Sequence, residues 1–270
     1  MSFPRAFIGI HYGGKGRGSL QSHNQILHEL LDIGQTLLTS GAEINRVEDT
    51  LTRLGRAYGA ERVDIFVITS DIVLTMQFSD GVELTQTRRI SRAPSTDFQK
   101  LEQLNALSRE CCAAPLPIEQ LHTRVQAIAA GQIPAPALYI GSILGAGGFA
   151  VFFGGGAFDA LAAALMGLLV CFLQQKALPV FRNAAIFQFL TALLVGSIVC
   201  LTCRRCAVFS ADKILIGVIM LLIPGVATTN SARDMLVGHT ISGLLRLAES
   251  LLLAGALALG FGSAIYLFGV

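Results

Sequence analysis

The residues best suited to handling a charged solute lie in one late stretch: Pro224-Gly225, then Thr228, Thr229 and Asn230, then Arg233 and Asp234, then Arg246 and Glu249. Proline withholds an amide donor and glycine adds backbone freedom, so a helix running through Pro224-Gly225 is expected to break there. Inside a membrane the freed backbone groups must be met by protein, solute or water, and half-helix N-termini favour carboxylates. Thr228, Thr229 and Asn230 add polar groups one turn further on. Arg246 and Glu249 sit three residues apart on one helix face. They read either as anchors at a membrane interface or as a buried pair, Arg246 meeting a carboxylate while Glu249 holds the guanidinium or exchanges a proton. Arg233 and Asp234 read as an interfacial clamp. Gln188, on an earlier apolar stretch, either lines a pathway or bonds a neighbouring helix.

Other chemistries fit less well. His239 and Ser242 might suggest hydrolysis, but they share one short segment, with no Gly-x-Ser-x-Gly elbow and no His-Glu-x-x-His pair. No catalytic residue is assigned, and the chain is not read as an enzyme. Cys200, Cys203 and Cys206 are regularly spaced but have no second motif to complete a metal site, so they read as small packing residues; no metal and no cofactor are expected. A net charge of +2 without a basic stripe excludes nucleic acid as a partner.

The elements that must carry these residues follow from composition. The chain has 270 residues, 53% hydrophobic and 14% charged, with a mean hydropathy of +0.61, which is too apolar for an ordinary water-soluble domain. Of 38 charged side chains, 27 precede Pro136 and 11 follow it. After Pro136 five charge-free stretches run Ala137 to Phe158, Ala160 to Gln175, Asn183 to Cys203, Ile214 to Ala232 and Ser250 to Val270. Each approaches the roughly 20 residues that cross a bilayer. Arg5, the brief run Ala6 to Ile10 and the Gly-rich Gly13 to Gly18 do not read as a signal peptide, so the first domain is expected in the cytoplasm. Lys176, Arg182, Arg233 and Arg246 then fall inside and Arg204, Arg205 and Lys213 outside, a weak bias toward the inner face.

The first half alternates its patterns. From Ser22 apolar residues recur at helical spacing through Tyr58, interrupted at Ser40-Gly41, where serine can cap the next turn and glycine disfavours a helix interior. Val63 to Val67, Ile72 to Phe78 and Val82-Leu84 alternate around an Asp80-Gly81 turn, predicting three antiparallel strands. Two more helices are predicted around Phe98 to Leu104 and Ile118 to Ile128. On the early helices Gly41, Glu43, Arg46, Glu48, Asp49 and Arg53 form a charged motif, either a solvated salt-bridge face or a docking or gating surface. The expected fold is an α+β soluble N-terminal domain, helices flanking a short antiparallel sheet, followed by an all-α five-helix transmembrane bundle. The expected boundaries are 1–21 for a flexible N-terminus, 22–132 for the cytoplasmic α+β domain and 133–270 for the transmembrane domain.

Ser40-Gly41-Ala42 with Arg46-Val47-Glu48 and Arg53, and Leu222-Ile223-Pro224-Gly225 with Thr228-Thr229-Asn230, Arg233-Asp234, Ser242-Gly243 and Arg246 to Glu249, resemble the threonine/serine exporter family. The resemblance runs from about Ile26 to Gly262, in order, with the membrane segment where that family places it. The chain looks like the large subunit of the split, two-gene form, whose relatives are associated with export of carboxylates such as succinate. It implies a multi-pass subunit of a bacterial inner-membrane secondary transporter for a small-molecule solute, working as an oligomer with a small helical membrane subunit. The competing expectations are a membrane-anchored interaction or regulatory protein, and an intramembrane hydrolase.

Overall fold

The computed structural model describes residues 16–90, 96–181, 183–206 and 208–269; Arg5, Ala6 to Ile10, Arg182 and most of the expected flexible segment 1–21 lie outside the described residues. The chain clusters into two compact units. The first comprises Met1–Gly131 with Leu236–Ser242, the second Gln132–Met235 with Gly243–Val270.

The first unit holds α1 (Gly16–Thr39), α2 (Ile44–Ala57), β1 (Ala60–Ile68), β2 (Asp71–Phe78), β3 (Glu83–Arg89), α3 (Phe98–Ala113) and α4 (Ile118–Ala130). The interruption at Ser40-Gly41 makes two helices. Gly41 adopts φ +90°, a left-handed conformation that suits glycine. Its N–H donates to Leu38 O at 3.1 Å and the Ala42 N–H to Leu37 O at 3.0 Å, the paired bonds that close a helix C-terminus. Ser40 therefore ends α1, and the N-cap of α2 is Glu43. The three strands form an antiparallel sheet in sequence order. The Asp80-Gly81 turn closes with the Phe78 N–H donating to Val82 O at 2.9 Å. Ile72, Leu74, Met76 and Phe78 alternate inward on β2 and are buried. Gly34 lets α1 approach the sheet, since a Cβ there would stand 3.0 Å from both Ile72 Cδ1 and Leu51 Cδ1. Leu27, Leu30, Leu51, Leu54, Leu104, Leu121 and Val125 complete this core.

The second unit is helical: α5 (Ala135–Phe152), α6 (Ala157–Lys176), a 3₁₀ turn (Leu178–Val180), α7 (Ala184–Arg205), α8 (Ala211–Leu222), α9 (Gly225–Leu236) and α10 (Thr240–Phe268). Ala135–Phe152, Ala157–Val180, Ala184–Arg205 and Thr240–Phe268 are each long and apolar enough to cross a membrane. Their exposed faces carry Leu144, Phe152, Leu161, Leu165, Leu251 and Leu252, more apolar surface than water tolerates. Small residues set the helix contacts, as lipid-embedded packing requires. A Cβ at Gly167 would lie 2.6 Å from Ser142 O, one at Gly217 2.6 Å from Ala146 O, and one at Gly260 2.6 Å from Phe189 O. These glycines bring α6 and α8 against α5, and α10 against α7. At one end of the unit the buried Asp159 accepts from the Gly156 N–H at 2.9 Å and the Ser210 N–H at 2.7 Å, capping α6 and tying it to the residue before α8.

The expected fold class, an α+β domain followed by a five-helix bundle, is overturned. The described residues form ten α-helices and one small three-stranded sheet. Four helices rather than five are individually able to span, because Pro224 divides the remaining apolar stretch into α8 and α9, bent by 53°. The two units are also not consecutive in sequence: Leu236–Ser242, from the late half, belongs with the first. The last helix runs from Thr240 to Phe268, so Arg246 and Glu249 lie within it.

Candidate functional site

The break between α8 and α9 arises residue by residue. The Ile223 N–H still donates to Ile219 O at 3.0 Å. Pro224 then offers no N–H to the Met220 carbonyl. The Gly225 N–H turns to Ile223 O at 2.8 Å rather than reaching back to Leu221. Regular bonding resumes when the Thr228 N–H donates to Pro224 O at 3.0 Å. Opposite the break, Gln188 of α7 donates its Nε2–H to Leu222 O at 2.8 Å. Gly225 is exposed, with open space where a Cβ would project.

Thr228 and Thr229 are exposed on the first turns of α9, their hydroxyls donating to Pro224 O at 2.9 Å and Gly225 O at 3.0 Å. Their hydrogens are thus engaged along the helix, which leaves lone pairs to face outward. Asn230 is half-buried one turn on, and Arg233 is exposed.

Beyond them α9 and α10 come into close contact. A Cβ on Gly243 would lie 2.5 Å from Met235 Cγ, 2.7 Å from Ser231 O and 2.9 Å from Met235 N. That approach sets Arg246, one turn along α10, against Asp234: Arg246 Nη1 and Asp234 Oδ2 are 3.2 Å apart, with side chains 6% and 1% exposed. The guanidinium is therefore held by Asp234 and not, as the three-residue spacing suggested, by Glu249, which is exposed on α10. Asp234 itself is buried in the protein. Ser231 and Ser250, both buried, donate to Thr228 O at 2.7 Å and Arg246 O at 2.8 Å, which satisfies the hydroxyls flanking the pair.

The first unit has its own polar cluster. Glu48 Oε2 stands 3.6 Å from His239 Nε2, and the Ser242 hydroxyl donates to Val67 O at 3.3 Å. His239 and Ser242 thus attach the α9–α10 connection to α2 and β1 and do not address each other as a hydrolytic pair. Arg53 and Asp49 form an exposed i,i+4 pair at 2.9 Å, Arg46 points to the surface, and Glu43 and Gly41 are half-buried at the start of α2. The roles of His239, Gly243 and Asp159 were not legible from spacing, because each depends on an element distant in sequence. An apolar recess lined by Phe158, Leu161, Leu165 and Ile198 offers a carboxylate almost nothing, since the Thr202 hydroxyl there donates to Ile198 O at 2.7 Å.

A profile of the threonine/serine exporter family matches residues 28–268, and the chain belongs to that family. Over 264 residues it is 25% identical to the threonine/serine exporter of Corynebacterium glutamicum, a match covering 92% of this chain and 53% of that protein. Over 235 residues it is 27% identical to the "Probable succinate transporter subunit YjjP" of Klebsiella aerogenes, covering 87% of this chain and 90% of that one. The chain spans about half the length of the first of these relatives. No solved structure matches it. With its family and its apolar helices, the chain is a membrane protein.

Proposed function

We propose that the chain is a subunit of a bacterial inner-membrane secondary exporter whose solute is a small carboxylate-bearing metabolite, threonine, serine or a dicarboxylate such as succinate. The observation that carries this reading is the buried Arg246–Asp234 pair on the helix that leaves a proline-glycine break and its close neighbour. A broken helix offers backbone donors at its second start, and a guanidinium donates two parallel N–H bonds to a carboxylate. A solute carboxylate competes with Asp234 for Arg246, and the displaced Asp234 then needs a proton or another cation to remain in a low-dielectric interior. Pro224, Gly225, Thr228, Thr229, Asn230 and Arg233 border this path. Glu249 lies on the outer face of α10, and Gly41, Glu43, Arg46, Glu48 and Arg53 serve as a gating or docking surface of the first unit.

The first unit lies on the cytoplasmic side. One relative is named as a subunit and the other is about twice as long, which supports completion of the transporter by a small helical membrane partner within an oligomer. The chain performs no catalysis. Reconstitution into vesicles with and without a co-encoded small membrane protein, following labelled threonine, serine and succinate, tests the reading. Flux of one of them that requires both chains is expected. Absence of flux for all three, with correctly inserted protein, refutes it.

A further inference from the structure

We propose that Gln188 is the positioning residue of the helix break: its side-chain amide replaces the backbone donor that Leu222 loses at Pro224-Gly225 and so fixes the bend on which the solute path depends. This rests on the transport reading above. In an unbroken helix Leu222 O would accept from the Val226 N–H. Here it accepts from Gln188 Nε2 at 2.8 Å, across from a different span. An unmet carbonyl in a water-poor interior is costly, as is an unbonded amide side chain, and one hydrogen bond relieves both. The bond also explains why α7, otherwise apolar around Phe187, Phe189 and Leu190, carries a glutamine at this position. Because Gln188 is five residues into α7 and Leu222 is the last residue of α8, the contact pins the hinge itself and neither arm.

A residue that lines the path and a residue that holds the hinge differ in how they respond to repair of the hinge. Pro224→Ala restores an N–H for Met220 and lets the chain straighten, so that Val226 can serve Leu222 and the amide becomes redundant. Gln188→Met keeps length and volume but has no donor. The experiment combines these two substitutions singly and together in the full-length chain, each carrying Gly225→Cys as a reporter. The measured quantity is the maleimide labelling rate at position 225 above that of the parent, whose exposed described thiols are Cys112 and Cys206. Half-saturation and maximal flux are measured in parallel for the same variants without the reporter.

Gln188→Met is expected to change the labelling rate and the half-saturation about fivefold, the factor carried by one net hydrogen bond, and to change neither in the Pro224→Ala background. An equal effect in both backgrounds makes Gln188 a lining residue and overturns the proposal. So does a native labelling rate in Gln188→Met. If labelling behaves as expected while no solute moves even in the unmodified chain, the hinge assignment stands and the transport reading falls.

Discussion

Arg246 and Asp234 meet at 3.2 Å from two different helices, and the two side chains are among the most buried charged groups of their unit. The contact joins α9 to α10, so the pair reports the packing of the two helices. Removing one partner of such a pair strands the other, at a cost of about 3 to 5 kcal/mol, whereas replacing both by apolar residues of similar size is often nearly neutral. Arg246→Met and Asp234→Leu are each expected to lower thermal stability in detergent more than the double variant does. All three should abolish flux. Single variants that unfold with the unmodified protein would show that the pair is not buried in the membrane.

Gly243 and Gly225 make opposite demands. At Gly243 a methyl group meets backbone atoms of Ser231 and Met235 that cannot rotate away, while at Gly225 it meets open space. Gly243→Ala should push α10 off α9, separate Arg246 from Asp234 and lower stability by about 1 to 3 kcal/mol, the range for overpacking. Gly225→Ala should fold normally. Unfolding midpoints and expression of the two variants, measured side by side, check the contrast; equal behaviour would contradict the close approach.

Pro224→Ala is predicted to raise stability while reducing flux, because it mends a helix that transport needs broken. Asn230→Ala removes a polar group without altering the bend, so its effect should appear in half-saturation more than in unfolding. If both variants transport normally, the solute path lies elsewhere in the protein.

The first unit should be sensitive to alkali. Burial, then the bond to Cys111, holds the Tyr58 phenol well above its ordinary range, and burial pushes the Cys111 thiol up as well. Both groups thus stay protonated in the folded chain at a pH where the unfolded chain has lost those protons. The unfolded state then binds fewer protons, so stability falls as pH rises, beginning near pH ~8.5 for the thiol and ~10 for the phenol. Neither group contributes a slope at lower pH. Tyr58→Phe with Cys111→Ala should flatten this alkaline limb in pH-dependent unfolding, although Tyr58→Phe also gives up the hydrogen bond to Leu116 O at 3.0 Å. An unchanged alkaline slope would show that other groups set it.

Local patterns were sufficient for much of this protein. Period-two alternation predicted the three strands, Asp80-Gly81 their second turn, and Gly41 the division between α1 and α2. Pro224-Gly225 marked the break because proline's missing donor is a property of the residue itself. Four of the five long charge-free runs coincide with helices able to cross a membrane, because burial in lipid leaves a record in composition; the run Ile214 to Ala232 is instead split between α8 and α9. What the sequence could not decide was which distant groups meet. Spacing pointed Arg246 at Glu249, yet close approach at Gly243 assigned it to Asp234; Gln188 found its partner on another helix; and Leu236–Ser242 joined the first unit although its neighbours on both sides belong to the second. Periodicity describes one helix relative to itself, whereas these contacts depend on how close two backbones come, and only the packed tertiary structure sets that distance.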